Sequence, residues 1–367
     1  MKDTQNKRIL KVAIDTVAIT LLALLLSKTL LYSFSSMLAL KSSIEVKDYE
    51  FSDLYYAVAD KSIPQKISDD VVLVAVDGLT RGEITDLLYD IKAAGPKAIG
   101  IDILFEYQYA GDSSLIAVTS DSAVIMAEFF DPEENNRIHK SYFCDSSHLA
   151  RGGMVNLEEG VARNYRSEFR INDSAYLSFA AEVAQTAGYD IGHHTSSIYF
   201  PTIDFWTLEH DMFIKQYESC AEIMKDKIVL VGDAANRFDI HQTPVGPMSG
   251  LKIQAATLET IVGNKYIHHF PDWLNWVVAI LSCLIVVLLN IYLTNKKLAT
   301  GNLLFRLAQI FVLYLFFWTG CELFVKYNIC IDFAPSLSMI ALGLLAYDIY
   351  FGFAALYKKI ITKRKHT

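Results

Sequence analysis

The chain has 367 residues, of which 52% are hydrophobic, with 33 Lys or Arg residues against 41 Asp or Glu residues. The acidic excess lies between residues 29 and 272, where 19 basic residues stand against 36 acidic ones and leave a net charge near −17. A stretch this acidic repels nucleic-acid phosphates, so nucleic acid is excluded as an expected partner. The carboxylates either keep the stretch soluble or gather cations.

Four apolar segments compare well with the roughly 20 residues that a helix needs to cross the hydrocarbon core of a bilayer. They cover residues 12–33, 273–294, 303–325 and 332–356. In the first segment a cleaved signal peptide competes with a membrane anchor, but Leu30, Leu31 and Tyr32 continue the apolar pattern and no small-residue cleavage site follows closely. The sequence therefore predicts one transmembrane helix before residues 40–270 and three after them.

Basic residues indicate which ends of these helices face the cytoplasm. They cluster in residues 1–11, at Lys296 and Lys297, and in residues 357–367, which all fall on one side of a membrane that is crossed four times. Because Lys and Arg concentrate on the cytoplasmic side, residues 40–270 are expected outside the cytoplasm. For a bacterium, this predicts a multi-pass protein of the cytoplasmic (inner) membrane, with a cytoplasmic N-terminus and a basic cytoplasmic tail.

The stretch outside the membrane alternates predicted strands and helices. An apolar, β-branched strand at 71–76 is followed by apolar residues at helical spacing, by Gly95 and Pro96 at the helix end, and by a second apolar strand at 98–103. Further elements with clear patterns are strands at 123–127 and 228–232 and a helix at 251–262. A strand, helix and strand in this order form parallel strands, so the fold class is α/β with a largely parallel sheet.

The region from 129 to 222 has no single hydrophobic period. We predict a helix at 179–187 and two short strands at 154–157 and 197–200, which join the sheet in antiparallel orientation. No long linker interrupts the stretch. Residues 40–270 are therefore expected to form one domain.

Sequence motifs for catalysis are absent: there is no P-loop, no G-x-S-x-G and no H-E-x-x-H. His241 is the histidine nearest to the acidic residues considered below, and a position in a turn is a commoner explanation for it than catalysis. Cys144 and Cys220 lie in the same domain, and the sequence leaves open whether they form a disulfide.

Three blocks of sequence now point to a family. They are VVLVAVDGLTRGEITDLLYDIKAAGPKAIGIDILFEY, then GGMVNLEEGVARNY, then DKIVLVGDAA followed by DIHQTPVGPMSGLKIQAATLETIVGN. In order and spacing these blocks closely resemble the CHASE2 domain, an extracytoplasmic sensory module of prokaryotic receptors. The resemblance implies one transmembrane helix before the domain, three after it, and an attached kinase or nucleotide cyclase.

This sequence departs from that pattern in two places. The turn after the first strand, GLTRGE, is shorter than in many members and lacks their Trp and Pro residues, and no effector domain follows the last apolar segment. We therefore expect a sensory protein without its own catalytic domain, which signals to a separate effector protein in the cytoplasm or the membrane.

Acidic residues follow several predicted strands, and ligands of open parallel sheets usually lie beyond the carboxyl ends of the strands. Asp112 resembles the family's acidic residue after the second strand, and Asp239 with Thr243 matches its D-x-x-x-T-P turn. The predicted ligand-binding residues are Asp77, Asp102, Asp112, Asp233, Asp239 and Thr243. The alternative for each Asp is a helix cap or a turn.

Converging carboxylates of this kind bind a hard cation or orient a polar or cationic ligand. No other cofactor is expected. Expected partners are membrane lipid, the separate effector and a second copy of the chain in a homodimer. Two other functions stay open on the sequence: a periplasmic metal-dependent hydrolase, and a membrane scaffold or assembly subunit.

Overall fold

The structure, a computed structural model, describes residues 2–40, 50–144, 150–192, 195–200, 203–234, 239–295 and 301–364. Two units divide the chain: Tyr56–Ile267, here called the sheet unit, and Met1–Tyr55 with His268–Thr367, here called the helical unit. The helices are α1 (Lys2–Leu40), α2 (Asp53–Ser62), α3 (Arg81–Ala93), α4 (Ser113–Thr119), α5 (Phe179–Thr186), α6 (His210–Met224), α7 (Gly250–Val262), α8 (Asp272–Asn295), α9 (Gly301–Tyr327) and α10 (Ala334–Arg364).

Strands occur mainly in the sheet unit. They are β1 (Lys66–Ala75), β2 (Ala98–Asp102), β3 (Val124–Asp131), β4 (Arg137–Lys140), β5 (Arg151–Met154), β6 (Asn164–Arg166), β7 (Glu168–Ile171), β8 (Ser174–Leu177), β9 (Thr195–Ser197), β10 (Ile203–Glu209), β11 (Ile228–Gly232), β12 (Ile240–Thr243), β13 (Gly246–Ser249), β14 (His268–His269) and β15 (Ile329–Cys330).

A seven-stranded sheet forms the centre of the sheet unit, in the order β10, β1, β11, β2, β3, β4, with β5 also paired to β3. Every pairing is parallel except that of β3 with β4. The predicted α/β class with a largely parallel sheet is thus confirmed. The central strands are almost wholly buried, because helices cover both faces of the sheet.

Alternate residues of the strands point to opposite faces. On one face Val72, Ile99 and Val229 belong to a buried cluster that includes residues of α3, α4 and α6. On the other face the strands meet α5, which packs against α7. There Gly100 lies so close that a Cβ atom would come within 2.8 Å of the ring of Phe179.

Two predicted strands are placed differently. β5 is parallel to β3, and it ends where the predicted strand 154–157 begins. β9 pairs with β6 in a separate two-stranded sheet, so the prediction that 197–200 joins the main sheet is wrong. The antiparallel strand of the main sheet is instead β4, which the polar sequence RIHK did not reveal.

The cysteines of the sheet unit are free thiols. Cys220 is buried in the core beside α3, and Cys144 packs at the edge of the same cluster. Cys144 and Cys220, for which the sequence left a disulfide undecided, are therefore not bonded to each other. Burial, together with the charge of Glu128, raises the pKa of Cys144 to about 12, so this thiol is protonated at neutral pH.

Among the described residues, the helical unit contains four helices that are long and apolar enough to cross a membrane: Gln5–Tyr32, Asp272–Thr294, Phe305–Tyr327 and Ala334–Thr362. Helix α10 begins at Ala334, slightly later than the predicted residue 332. The Tyr350 hydroxyl donates to Asp15 at 2.8 Å, and the hydroxyls of Ser27 and Ser338 are 2.5 Å apart. Because the earlier residue of α1 meets the later residue of α10, these two contacts show that α1 and α10 are antiparallel.

A short parallel pairing of β14 with β15 joins the start of α8 to the end of α9. Beside it the ring of Tyr55 is fully buried, and its hydroxyl donates to the carbonyl of Ile331 at 3.0 Å. The start of α10 follows directly. The beginnings of α8 and α10 and the end of α9 therefore lie at the same end of the helical unit.

Candidate functional site at the carboxyl edge of the sheet

Three neighbouring strands end level with one another. In the pairing register Ala75 of β1 lies opposite Gly232 of β11, and Gly232 lies opposite Asp102 of β2. Asp77 lies two residues after the end of β1, and Asp233 directly follows β11. The structure therefore brings these three predicted acidic residues to one edge of the sheet, as their positions after parallel strands predicted.

Asp77 closes the loop after β11. Its Oδ2 atom accepts a hydrogen bond from the backbone N–H of Ala234 at 3.3 Å. This contact ties the loop after β1 to the loop after β11. The chain from 235 to 238, which continues this second loop, lies outside the described residues.

Asp239 brings a further carboxylate to the edge, at the start of α7. Its backbone carbonyl accepts from the N–H of Gly250 at 3.1 Å, and a Cβ atom on Gly250 would lie 2.3 Å from its Oδ2 atom. Glycine at the first position of α7 is therefore what lets the carboxylate approach the helix terminus. The positive end of the helix dipole favours the negative charge there. His241 Nε2 lies 2.9 Å from the Oδ1 atom of Asp239.

Asp102 has the most perturbed carboxyl group of this edge. Burial disfavours its ionised form, the nearby charge of Asp239 adds to this, and together they raise its pKa to about 7, while His241 acts in the opposite direction. Both protonation states of Asp102 are therefore populated near neutral pH. A carboxyl group in this condition responds strongly to any charge that arrives nearby.

Asp112 is engaged in a separate contact with α3. Its Oδ2 atom accepts from Arg81 Nη1 at 2.7 Å, from the backbone N–H of Tyr109 at 2.8 Å and from the Tyr142 hydroxyl at 2.9 Å. Burial opposes ionisation, but these donors hold the pKa of Asp112 below its usual value. The guanidinium of Arg81 also lies 4.3 Å from the ring centre of Tyr109. Asp112 thus joins the loop after β2 to the start of α3.

Thr243 is used in a turn. Its hydroxyl donates to the carbonyl of Gly246 at 2.6 Å and accepts from the N–H of Val245 at 3.4 Å, which closes the hairpin of β12 and β13. The described contacts of Thr243 are therefore those of a turn. Ligand binding by Asp112 and Thr243, as by the four acidic residues of the edge, remains a prediction.

The hairpin of β3 and β4 carries a group of side chains that could hold a metal ion. One atom each of Asp131, Glu134 and His139 lies within 4.8 Å of the others. His139 contacts Glu106 through Nδ1 and Glu134 through Nε2, each at 2.8 Å, and the hydrogen bond that His139 donates to Glu106 is the main cause of its raised pKa. A raised pKa favours the imidazolium over the neutral ring that a metal requires. The contacts of His139 with Glu106 and Glu134 are therefore better explained as ion pairs than as a metal site.

Sequence reasoning missed two residues that organise this region. Arg81 begins α3 and holds Asp112, while Gly250 begins α7 and admits Asp239. Arg81 could have been noticed because it is a basic residue directly after the N-cap Thr80, where acidic residues are favourable. Gly250 could have been noticed because it is a glycine at the first position of a helix that follows a hairpin.

Comparison with protein families decides what kind of protein this is. The family model described as CHASE2 domain matches residues 17–289, which is most of the chain. The chain belongs to the CHASE2 family. A comparison with curated proteins finds no match, and a comparison with solved structures finds none either.

CHASE2 is an extracytoplasmic sensory domain, and it is a sensory rather than a catalytic module. The CHASE2 match runs from within α1, through the whole sheet unit, and into α8. The described residues include four candidate membrane spans, so the chain is a membrane protein that carries a domain of an extracytoplasmic sensory family. The acidic edge, described above, belongs to that CHASE2 domain.

The ion pair of Arg81 with Asp112 supports a first prediction about the CHASE2 domain. The Arg81→Met change is expected to destabilise α3 and α4 by about 2 kcal/mol at neutral pH, because it leaves a carboxylate that is 6% exposed without its guanidinium. The stability given by a depressed carboxyl pKa is lost as pH falls through that pKa, so the effect should shrink in acid. Hydrogen exchange of the α3 and α4 peptides measures it.

The matched control for this change is Lys66→Met. Lys66 pairs with Asp69 at 2.6 Å, but both side chains are exposed, so little change is expected there. Equal protection of α3 and α4 in the wild type and in Arg81→Met would contradict the assignment of Arg81 as the residue that holds Asp112.

Proposed function

We propose that this CHASE2 protein is a membrane-bound sensor that relays an external signal across the bacterial inner membrane to a separate effector protein. The observation that carries the proposal is the extent of the family match, which includes the sheet unit and parts of the apolar helices joined to each of its ends. A ligand shifts such a domain between two arrangements only if it binds one of them more tightly. Helices α1 and α8, which are covalently continuous with the domain, are the proposed route inward.

The proposed orientation places one span before the sheet unit, three after it, and the sheet unit outside. The distribution of charge supports it. Because α1 and α10 are antiparallel, Lys7 and Arg8 lie at the same end of the helical unit as Lys358 and Lys359. Clusters of Lys and Arg at one end are typical of the cytoplasmic side. We propose that this end contacts anionic lipid and the effector, and that the chain assembles as a homodimer.

The carboxyl edge of the sheet is the proposed ligand site of the sensor. Asp77, Asp102, Asp233 and Asp239 supply acceptor oxygens there. Such oxygens suit a polar or cationic ligand or a hard cation, and no resident cofactor is proposed. A positive charge arriving at this edge would favour the ionised form of Asp102, so binding and proton release would be coupled.

Site-specific labelling tests the orientation. Ser174→Cys places a thiol at the exposed start of β8, beside the β7–β8 turn, and Lys359→Cys places one near the end of α10. A membrane-impermeant maleimide is expected to label the first variant on intact cells and the second only after permeabilisation. The wild-type chain, with its own five cysteines, is the control. The reverse pattern would contradict the proposed orientation.

Photocrosslinking tests the relay to an effector. A photoreactive amino acid at the exposed position of Tyr357 is expected to capture a signalling protein, and the same group at Ser174 should not capture it. Deleting the sheet unit should then change the activity of the captured protein. If only lipid and other copies of this chain were captured, the result would argue against a separate effector.

A further inference from the structure

The helical unit contains a second candidate site, where α8 and α10 begin. A cavity of about 370 Å³ lies there. Its lining includes Glu50 and Phe51 before α2, Asp272 and Asn275 in the first turn of α8, and Asp332 before α10. This volume is typical of sites for small organic molecules and exceeds what a single ion needs.

Asn275 is the residue that marks this cavity as a binding site. Its side chain lines the cavity, the residue is only 4% exposed, and its Oδ1 atom has no hydrogen-bond partner among the described residues. A buried acceptor without a donor costs about 1–3 kcal/mol. Such an atom is explained if a bound molecule supplies the missing donor.

The negative charge of the cavity wall indicates that the bound molecule is a cation. Glu50, Asp272 and Asp332 all carry carboxylates at its wall. Burial, followed by repulsion from Glu50 and Asp272, raises the pKa of Asp332, although the N–H of Ala334 donates to it at 2.9 Å. A positive charge in the cavity would relieve this repulsion.

The chemistry of the wall favours an organic cation over a metal ion. In the described part of the chain, the three metal-ligating atoms that lie within 4.8 Å of one another belong to the β3–β4 hairpin and not to this cavity. Burial and nearby carboxylates also raise the pKa of Cys330 to about 12, so a thiol rather than a thiolate lines the floor. The carboxylate and amide oxygens of the wall accept hydrogen bonds, which an ammonium group donates, and Phe51 and Phe270 add apolar lining.

We propose that this cavity binds a protonated primary amine, whose ammonium group donates to Asn275 Oδ1 and to the carboxylates of Asp272 and Asp332. A free amine and the ethanolamine headgroup of a lipid carry the same ammonium group. The cavity lies beside the ends of the candidate membrane spans, so either source reaches it. The assignment is independent of the proposed relay to an effector, because it concerns binding alone.

Equilibrium binding of radiolabelled putrescine tests the site, with the full chain in phosphatidylcholine nanodiscs. Saturable binding is expected, and the double change Asp272→Asn with Asp332→Asn should weaken it at least tenfold. Both residues keep exposed surface, and an asparagine at position 332 retains the oxygen that accepts from Ala334, so the fold should be kept. Asn275→Leu should also weaken binding, with thermal unfolding as the check on folding.

Glu322→Gln is the control variant, since Glu322 pairs with Lys326 on α9 and does not line the cavity. Tetramethylammonium, a cation without N–H donors, should not compete. Absence of saturable binding, unchanged affinity in the double variant, or full competition by tetramethylammonium would overturn the proposal. Adding phosphatidylethanolamine to the nanodiscs identifies the source: lost putrescine binding assigns the site to the lipid headgroup, and retained binding assigns it to a free amine.

Discussion

Gly153→Ala is expected to destabilise the sheet unit by about 3 kcal/mol. A Cβ atom at Gly153 would lie 2.6 Å from the Cα atom and 3.0 Å from the backbone N of Phe179, at the start of α5. Backbone atoms cannot rotate away as a flexible side chain does, so β5 and α5 would have to separate. Overpacking of this kind typically costs about 1–3 kcal/mol, and the rigid neighbour places Gly153 at the upper end. Hydrogen exchange of the β5 and α5 peptides in the full chain measures the loss.

Gly82→Ala is the matched control for that change. Gly82 lies in the first turn of α3, and the nearest atom to an added Cβ there is Thr80 Oγ1 at 4.0 Å. Alanine has a higher helix propensity than glycine, so this variant should be as stable as the wild type or slightly more stable. If both alanine variants exchanged like the wild type, the close packing of α5 on β5 would be wrong.

Asp102→Asn is expected to stabilise the sheet unit at pH 8 and to leave it unchanged at pH 4. Burial and the charge of Asp239 raise the pKa of Asp102 from 3.8 to about 7. A carboxyl group whose folded-state pKa is raised contributes its stability below the unfolded-state pKa and loses it as pH rises through the folded-state value. The wild type should therefore lose stability between about pH 4 and pH 7, by about 4 kcal/mol at most, whereas the asparagine side chain of the variant does not ionise.

The measurement is urea unfolding of the full chain between pH 4 and pH 8, followed by hydrogen exchange in peptides of β2 and β11. His241 lies 2.9 Å from Asp239 and its charge acts on Asp102, so His241→Gln is measured in parallel. Asp69→Asn is the control, because Lys66 lowers the pKa of Asp69 and no gain at pH 8 is expected. Parallel pH profiles for the wild type and Asp102→Asn would contradict the raised pKa.

Much of the fold was accessible from local sequence patterns. The predicted strand 228–232 coincides with β11, and the predicted helix 251–262 differs from α7 by one residue at its start. These elements carry uninterrupted apolar runs or a clear helical face. The pattern fails for β10, because Asp204, Thr207 and Glu209 interrupt its apolar residues at the edge of the sheet.

The irregular helix α6 was missed for a related reason. Its backbone leaves helical geometry at Gln216, and its buried residues are only Phe213, Cys220 and Met224. A kink shifts the phase of the apolar face, so no single 3.6-residue period fits the segment. Local patterns therefore identify straight, well-buried elements and lose edge strands and kinked helices.

The candidate sites divide in the same way. Asp77, Asp102 and Asp233 were predictable together, because each follows a strand and the carboxyl ends of parallel strands share one edge. The engagement of Asp112 by Arg81 depends on where two loops meet, which no local spacing encodes. The cavity at Asn275 is assembled from segments near residues 50, 272 and 332, so its composition emerges only from the packing of the helices.

The position of β11 has a consequence for biosynthesis. β1 and β2 both pair with β11, which is made more than 100 residues after β2, and the two are not paired with each other. Until β11 arrives, the inner edges of both strands carry unpaired backbone groups, and such edges attract other strands. Pairings between segments so far apart in the chain also form slowly. A ribosome-bound chain that ends before residue 228 is therefore expected to need a chaperone, and the sheet of the sensor domain closes only once its last central strand has been translated.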